Sequence, residues 1–209
     1  MTRRAVLVGL VLGLAACVPT RYWQPAAGPI RSSDGFSLVL PAGWMVLATG
    51  TVTTNGAVAA SRDGPGLQCI AAGATNLAGA TPPEVAALLA WQKLPLYTSG
   101  ESAPRKAALL VAGTLGGEAT PPEVTASAAA DLSGRPGFRT EVAWNDPTGL
   151  RVRAVVRGAL VGPRLYWVLY VAPARHYFEL DLATFEEVAR SFRIEPVPTK
   201  TAGEAGPQG

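Results

Sequence analysis

The chain has 209 residues, 48% of them hydrophobic and 16% charged, with 18 Lys and Arg against 15 Asp and Glu. The formal charge of +3 falls to +1 once Arg3 and Arg4 are set aside, which leaves no compositional basis for a nucleic-acid-binding polycation. A single histidine and two cysteines do not furnish a typical zinc ligand set.

Arg3 and Arg4 form a positive start, and Ala5 to Ala16 follow without a charge or a proline. As a helix this run reaches about 18 Å, short of the roughly 30 Å hydrocarbon core, so it predicts a cleaved leader rather than a membrane span. Leu14-Ala15-Ala16-Cys17 closes the run. The arrangement resembles the lipobox of a bacterial lipoprotein signal peptide, with cleavage between Ala16 and Cys17. The alternative is an ordinary signal peptide cut after another small residue. The resemblance implies a diacylglyceryl group on the Cys17 thiol and acyl chains such as palmitate holding the protein at a membrane. At about 0.8 kcal/mol per buried CH₂, two or three such chains make attachment effectively permanent. Val18 rather than aspartate after the cysteine implies the periplasmic face of the outer membrane, if the host is Gram-negative.

The expected plan is a signal peptide over 1–16, a lipidated tether over 17–30, one domain over 31–195 and a disordered tail over 196–209. Pro19, Pro25, Gly28 and Pro29 mark the tether. A domain of that size buries roughly 70% of its unfolded surface. With Cys17 lipidated, Cys69 has no disulfide partner and reads as a small core thiol, since no basic exposed setting surrounds it.

Phe36-Ser37-Leu38-Val39-Leu40 alternates with period two and stops at Pro41-Ala42-Gly43, which predicts a strand with Phe36, Leu38 and Leu40 on one face. Ala57–Ala60 and Leu67–Ala71 flank Arg62-Asp63-Gly64-Pro65-Gly66, a hairpin signal. Thr81-Pro82-Pro83-Glu84 has the chemistry of a capping box and predicts a helix over 81–94, ended by Pro95. Residues 99–130 are rich in Ala, Gly and Ser and show little pattern. Thr125-Ala126-Ser127-Ala128 within them fits strand or helix equally.

Phe138–Trp144 and Leu150–Gly158 predict a hairpin around the five-residue loop Asn145–Gly149. Pairing Trp144 with Leu150 would set Glu141 opposite Arg153, a cross-strand charge pair. Leu165 to Val171 is apolar or aromatic at every position, which predicts a central strand covered on both faces. A closing helix is expected to start near Asp181 as its N-cap, with Glu186 and Glu187 toward its positive end and Arg190 toward its negative end. Leu182, Phe185, Val188, Ala189 and Phe192 would line its buried stripe.

Asp34-Gly35-Phe36-Ser37-Leu38-Val39-Leu40-Pro41-Ala42-Gly43-Trp44 resembles the opening strand and turn of PsbP-like bacterial lipoproteins. Gly134-Arg135-Pro136-Gly137-Phe138 is similar to that family's middle hairpin, and the strand Leu165–Tyr170 with the helix ending Ser191-Phe192-Arg193-Ile194 is similar to its close. The resemblance implies an α+β fold, an α/β/α sandwich in which helices flank an antiparallel sheet. It carries over no ligand or metal site.

Catalytic signals are sparse. His176 sits in Pro173-Ala174-Arg175-His176-Tyr177 without a nucleophile signature beside it. Gly113-Thr114-Leu115-Gly116-Gly117 lacks the lysine of a phosphate loop. Arg151, Arg153 and Arg157 share one strand face and form a candidate surface for an anionic partner, against the alternative of local pairing to Glu141. Tyr166, Trp167, Tyr170, Tyr177 and Phe178 read first as core. The expected protein is a monomeric, lipid-anchored, non-catalytic interaction or scaffolding module without a cofactor. Its partners would be a membrane, through Cys17, and an unidentified protein. The alternative is a carrier of a small hydrophobic ligand held between helix 81–94 and the sheet.

Overall fold

The computed structural model describes residues 22–48, 56–76 and 122–195. Within them, eight antiparallel strands form one sheet in the order β1-β4-β5-β6-β10-β9-β8-β7. These are β1 (Tyr22–Pro25), β4 (Met45–Ala48), β5 (Val58–Ser61), β6 (Cys69–Asn76), β7 (Glu123–Leu132), β8 (Arg135–Asn145), β9 (Arg151–Val161) and β10 (Arg164–Pro173). A second sheet joins β2 (Pro29–Ser32), β3 (Phe36–Val39) and β11 (Arg193–Ile194) in the order β11-β3-β2. A single described helix, α1 (Tyr177–Ser191), follows β10.

The unbroken apolar run at 165–171 becomes β10, buried from Leu165 to Pro173 and hydrogen-bonded between β6 and β9. Its alternate side chains feed two separate cores. Tyr166, Val168 and Tyr170 meet α1 and the small sheet through Phe178, Phe185, Phe192, Phe36 and Leu38. Leu165, Trp167, Leu169 and Val171 join Phe138, Val142, Trp144, Val152, Ala154 and Val156 on the other face. Phe36 stacks on Phe192 at 5.0 Å between ring centroids, and Tyr170 stacks on Phe178 at 5.5 Å. Trp167 lies between Gly73 on one neighbouring strand and Gly158 on the other. A Cβ at Gly73 would come within 2.7 Å of the indole, and one at Gly158 within 2.7 Å of the Phe138 ring. Those two glycines let large aromatic rings lie flat across the sheet.

Several sequence expectations hold in register. Phe36, Leu38 and Leu40 are all buried, and the Arg62–Gly66 hairpin joins β5 to β6 with Val58 paired to Ala72. The 138–158 hairpin forms, but Trp144 pairs with Val152 rather than Leu150. Asp146 explains the shift: its Oδ1 accepts the N–H groups of Thr148 and Leu150, each at 2.9 Å, so the loop begins at Asp146 and ends at Leu150. The shift preserves which face each side chain occupies, because the period of a strand is two. Ser133 and Gly134, both at positive φ, make the tight turn from β7 to β8.

Other expectations are met in part, corrected or left outside the described residues. An α/β/α sandwich requires helices on both faces. Among the described residues one helix covers one face, aided by the small sheet, and the main sheet is larger than such a sandwich implies. The predicted helix 81–94 lies outside the described residues, as do the leader and the tail. The tether assigned to 17–30 already contains strand: Tyr22–Pro25 pairs with Met45–Ala48, and Pro29 opens β2. Proline is tolerated in both places because Pro25 ends an edge strand and Pro29 begins one. Thr125–Ala128, open between strand and helix, is strand within β7. The closing helix starts at Tyr177, four residues before Asp181, so Asp181 is a buried helical residue and not a cap. A carboxylate with two side-chain donors in the protein interior has a stronger use than capping.

Candidate functional site

Two polar constellations surround α1, and both link it to the main sheet. The first is a chain of alternating charges: Glu179, Arg153, Glu141, Arg139, Glu186 and Arg157. Arg139 and Arg157 lie directly opposite each other on β8 and β9, a repulsive placement by itself. Glu186 of α1 bridges them, with Oε1 2.8 Å from Arg139 Nε and Oε2 2.8 Å from Arg157 Nη2. Glu141 lies 2.8 Å from both Arg139 Nη1 and Arg153 Nη2. The pairing of Glu141 with Arg153 thus forms as the sequence suggested, but diagonally, since Glu141 is opposite Val155. Arg153 also ion-pairs with Glu179 and lies 3.9 Å over the Phe178 ring centroid.

Burial disfavours the charged form of Glu141, but the hydrogen bonds and charges of Arg139 and Arg153 outweigh it and hold the carboxyl below its ordinary range. A carboxyl lowered in the folded state stabilises above its unfolded pKa, and that stabilisation is lost as pH falls through the folded value. Glu141→Gln is therefore expected to narrow the gap in stability between pH 7 and pH 3. Paired urea melts of the wild type and the variant at the two pH values measure this; parallel shifts in both proteins would refute it.

The second constellation is buried. Asp181, 1% exposed, takes Arg62 Nη1 at 3.0 Å on Oδ1 and Gln68 Nε2 at 2.9 Å on Oδ2. Gln68 Nε2 also donates to Asp63 Oδ2 at 2.8 Å. The hydrogen bond from Gln68, followed by those from Arg62, lowers the pKa of Asp63. Gln68 Oε1 is buried without a protein donor. This network fastens the β5–β6 loop to the helix. Nearby, the Tyr170 hydroxyl donates to the Tyr177 carbonyl at 2.7 Å, and burial, with the charge of Asp181 adding to it, raises its pKa.

The residues singled out from the sequence fall into place as follows. Arg153 and Arg157 belong to the alternating chain, and Arg151 pairs with Glu123 of β7 at 3.1 Å. An anionic partner on this stripe would have to displace carboxylates already in place. Cys69 is partly buried on β6, and burial pushes its thiol up to about 11, so little thiolate exists at neutral pH. His176 is the exposed residue preceding α1, in the left-handed region at φ 73°, with its ring edge-on to Tyr177. Tyr166, Trp167, Tyr170 and Phe178 are buried, although Trp167 faces the opposite core from the other three. Ala16 and Cys17 lie outside the described residues. Sequence reasoning missed Arg139, Glu179 and the Arg62–Gln68–Asp181 set. The seven-residue spacing of Glu179 and Glu186 was a usable signal for the helix side of the chain.

This is an antiparallel-sheet fold with a packed helix and a small accessory sheet. No protein-family model matches the chain, and no curated protein matches it. Solved structures do. A variant of the protein Mog1 shares 11% identity over 82% of this chain and 96% of its own, with a TM-score of 0.50, a likeness of fold. A PsbP protein of the cyanobacterium Synechocystis is similar at 15% identity, 88% and 98% coverage and a TM-score of 0.49. LpqN of Mycobacterium tuberculosis, involved in cell envelope biogenesis, is similar at 14% identity, 84% and 91% coverage and a TM-score of 0.47. Among the described residues no helix is long and apolar enough to cross a membrane.

Proposed function

We propose that the protein is a lipid-anchored cell-envelope module that works by binding another protein and carries out no catalysis of its own. The observation that supports the non-catalytic reading is the use of its polar groups. The three arginines of the candidate stripe are engaged by Glu123, Glu141, Glu179 and Glu186, and Asp181 by Arg62 and Gln68. Such groups hold the fold together, leaving binding to the surface around them. The anchor rests on Leu14-Ala15-Ala16-Cys17, with acyl chains on Cys17 at the periplasmic face of a Gram-negative outer membrane and the folded residues projecting as a monomer.

Cys17→Ser is expected to abolish the lipid mass and to move the protein out of the membrane fraction, or to leave it held only by an uncut leader. Intact mass and membrane partition of the wild type and the variant decide this; an unchanged mass and partition would sink the anchor. Native mass spectrometry of the same material tests the binding role against the carrier alternative. A clean protein mass accords with a binding module, whereas a defined adduct of small-molecule size, released by denaturation, transfers the reading to ligand carriage.

A further inference from the structure

β7 ends the main sheet on the side away from β1, and among the described residues it pairs only with β8. From Glu123 to Ala129 every residue is exposed. The edge of a sheet presents backbone N–H and C=O groups to any strand that can align with them, and proteins commonly blunt it with lysine, proline or short length. β7 uses none of these: it is ten residues long, and Val124 to Ala130 reads Val-Thr-Ala-Ser-Ala-Ala-Ala, without charge or proline; a bulge between Val124 and Ala126 confines its regular edge to Ala126–Leu132. Its side chains are low, so a strand laid beside it could carry large residues on either face without collision. Charge appears only at the ends. Glu123 is held by Arg151, whereas exposed Asp131 has no ion-pair partner among the described residues.

We propose that β7 receives an extended segment of a partner protein as an added antiparallel strand, with an uncharged centre and a basic residue near its start. This rests on the interaction-module reading and names the place and chemistry of the contact. The antiparallel sense follows the rest of the sheet and sets the start of the incoming strand against Asp131. A second copy of this chain fits less well. Self-pairing centred on Ser127 would bring Glu123 and Asp131 of the two copies together at both ends, across the bulge at Val124–Ala126, and like charges brought close in this way destabilise a strand pair.

The probe is a fluorescent, end-blocked peptide Lys-Val-Thr-Val-Thr-Val-Thr-Gln, titrated into the detergent-solubilised full chain. Binding is expected to be about threefold tighter than for the same peptide beginning with Glu. Asp131→Lys should reverse that preference, and Ala128→Lys should weaken both peptides while leaving the melting temperature in place. No binding at about 1 mM peptide, or binding indifferent to Asp131→Lys, overturns the proposal. A photo-crosslinking amino acid at Ala128 or, separately, at Leu180 on α1 distinguishes the two readings in the cells that make the protein. Adducts from position 180 with none from 128 overturn the edge site and leave the interaction module standing. Adducts from neither position likewise overturn the edge site, whereas a defined small-molecule adduct in native mass spectrometry is what overturns the interaction module.

Discussion

Arg62→Ala is expected to cost about 3 kcal/mol of stability, the low end for breaking a buried ion pair because Arg62 is itself 34% exposed. The loss arises from what remains. Without the guanidinium, the Asp181 carboxylate stays buried with a single amide donor from Gln68. Asp181→Asn removes the charge from the other side and should cost no more than about 1 kcal/mol. An asparagine amide can still accept from Arg62 on Oδ1, but its Nδ2 then faces the Gln68 Nε2 donor, so the Gln68 amide must turn and give up its hydrogen bond to Asp63, which accounts for the loss. The double variant Arg62→Ala/Asp181→Asn should therefore be more stable than Arg62→Ala alone. Urea midpoints of the three variants close the double-mutant cycle. Additive losses would show that the pair is solvated and contributes little.

Phe185→Ala carries the second large effect, about 3–5 kcal/mol. Phe185 is fully buried on α1, and its ring stacks on Tyr170 of the central strand at 6.1 Å. Removing it opens a cavity between helix and sheet that neither can close, because α1 is also fixed by Glu186 to β8 and β9 and by Asp181 to the β5–β6 loop. Phe185→Leu keeps most of the volume and should cost less than about 1.5 kcal/mol. At roughly 2–4 °C per kcal/mol for a chain of this size, the alanine variant should melt some 10 °C lower than the wild type. Equal melting temperatures for the alanine and leucine variants would mean that the helix relaxes onto the sheet, contrary to a rigid two-sided attachment.

The elements that were legible in the sequence are those whose burial is decided locally. Leu165 to Val171 has no polar side to present to water other than tyrosine hydroxyls and an indole N–H, so only a strand covered on both faces accommodates it. Phe36, Leu38 and Leu40 alternate, and the turn chemistry of Arg62–Gly66 leaves a hairpin as the natural outcome. The start of α1 was misplaced because Asp181 looks like a cap in one dimension. Its real partners, Arg62 and Gln68, are over a hundred residues away. The hairpin register was misplaced by a smaller margin, since the choice between Asn145 and Asp146 as the loop's first residue depends on three donors gathering around one carboxylate.

The candidate site divides in the same way. That Arg153 and Arg157 share a face with Glu141 follows from strand periodicity alone. That Glu186 reaches across from a helix to hold two opposed arginines apart from their repulsion does not. β7 was equally hidden: an alanine-rich stretch locally favours helix over strand, and pairing with β8 overrides that preference.

By itself the sequence determined the central strand, the apolar faces that build the two cores, the hairpins and the expectation of an acyl anchor at Cys17. Each depends on side-chain period, turn chemistry or a short contiguous motif. Only the tertiary structure decided the strand order, the conversion of the arginine stripe into an alternating ion-pair chain, the interior place of Asp181 and the exposure of β7. Those depend on residues far apart in the chain meeting, which no local pattern encodes.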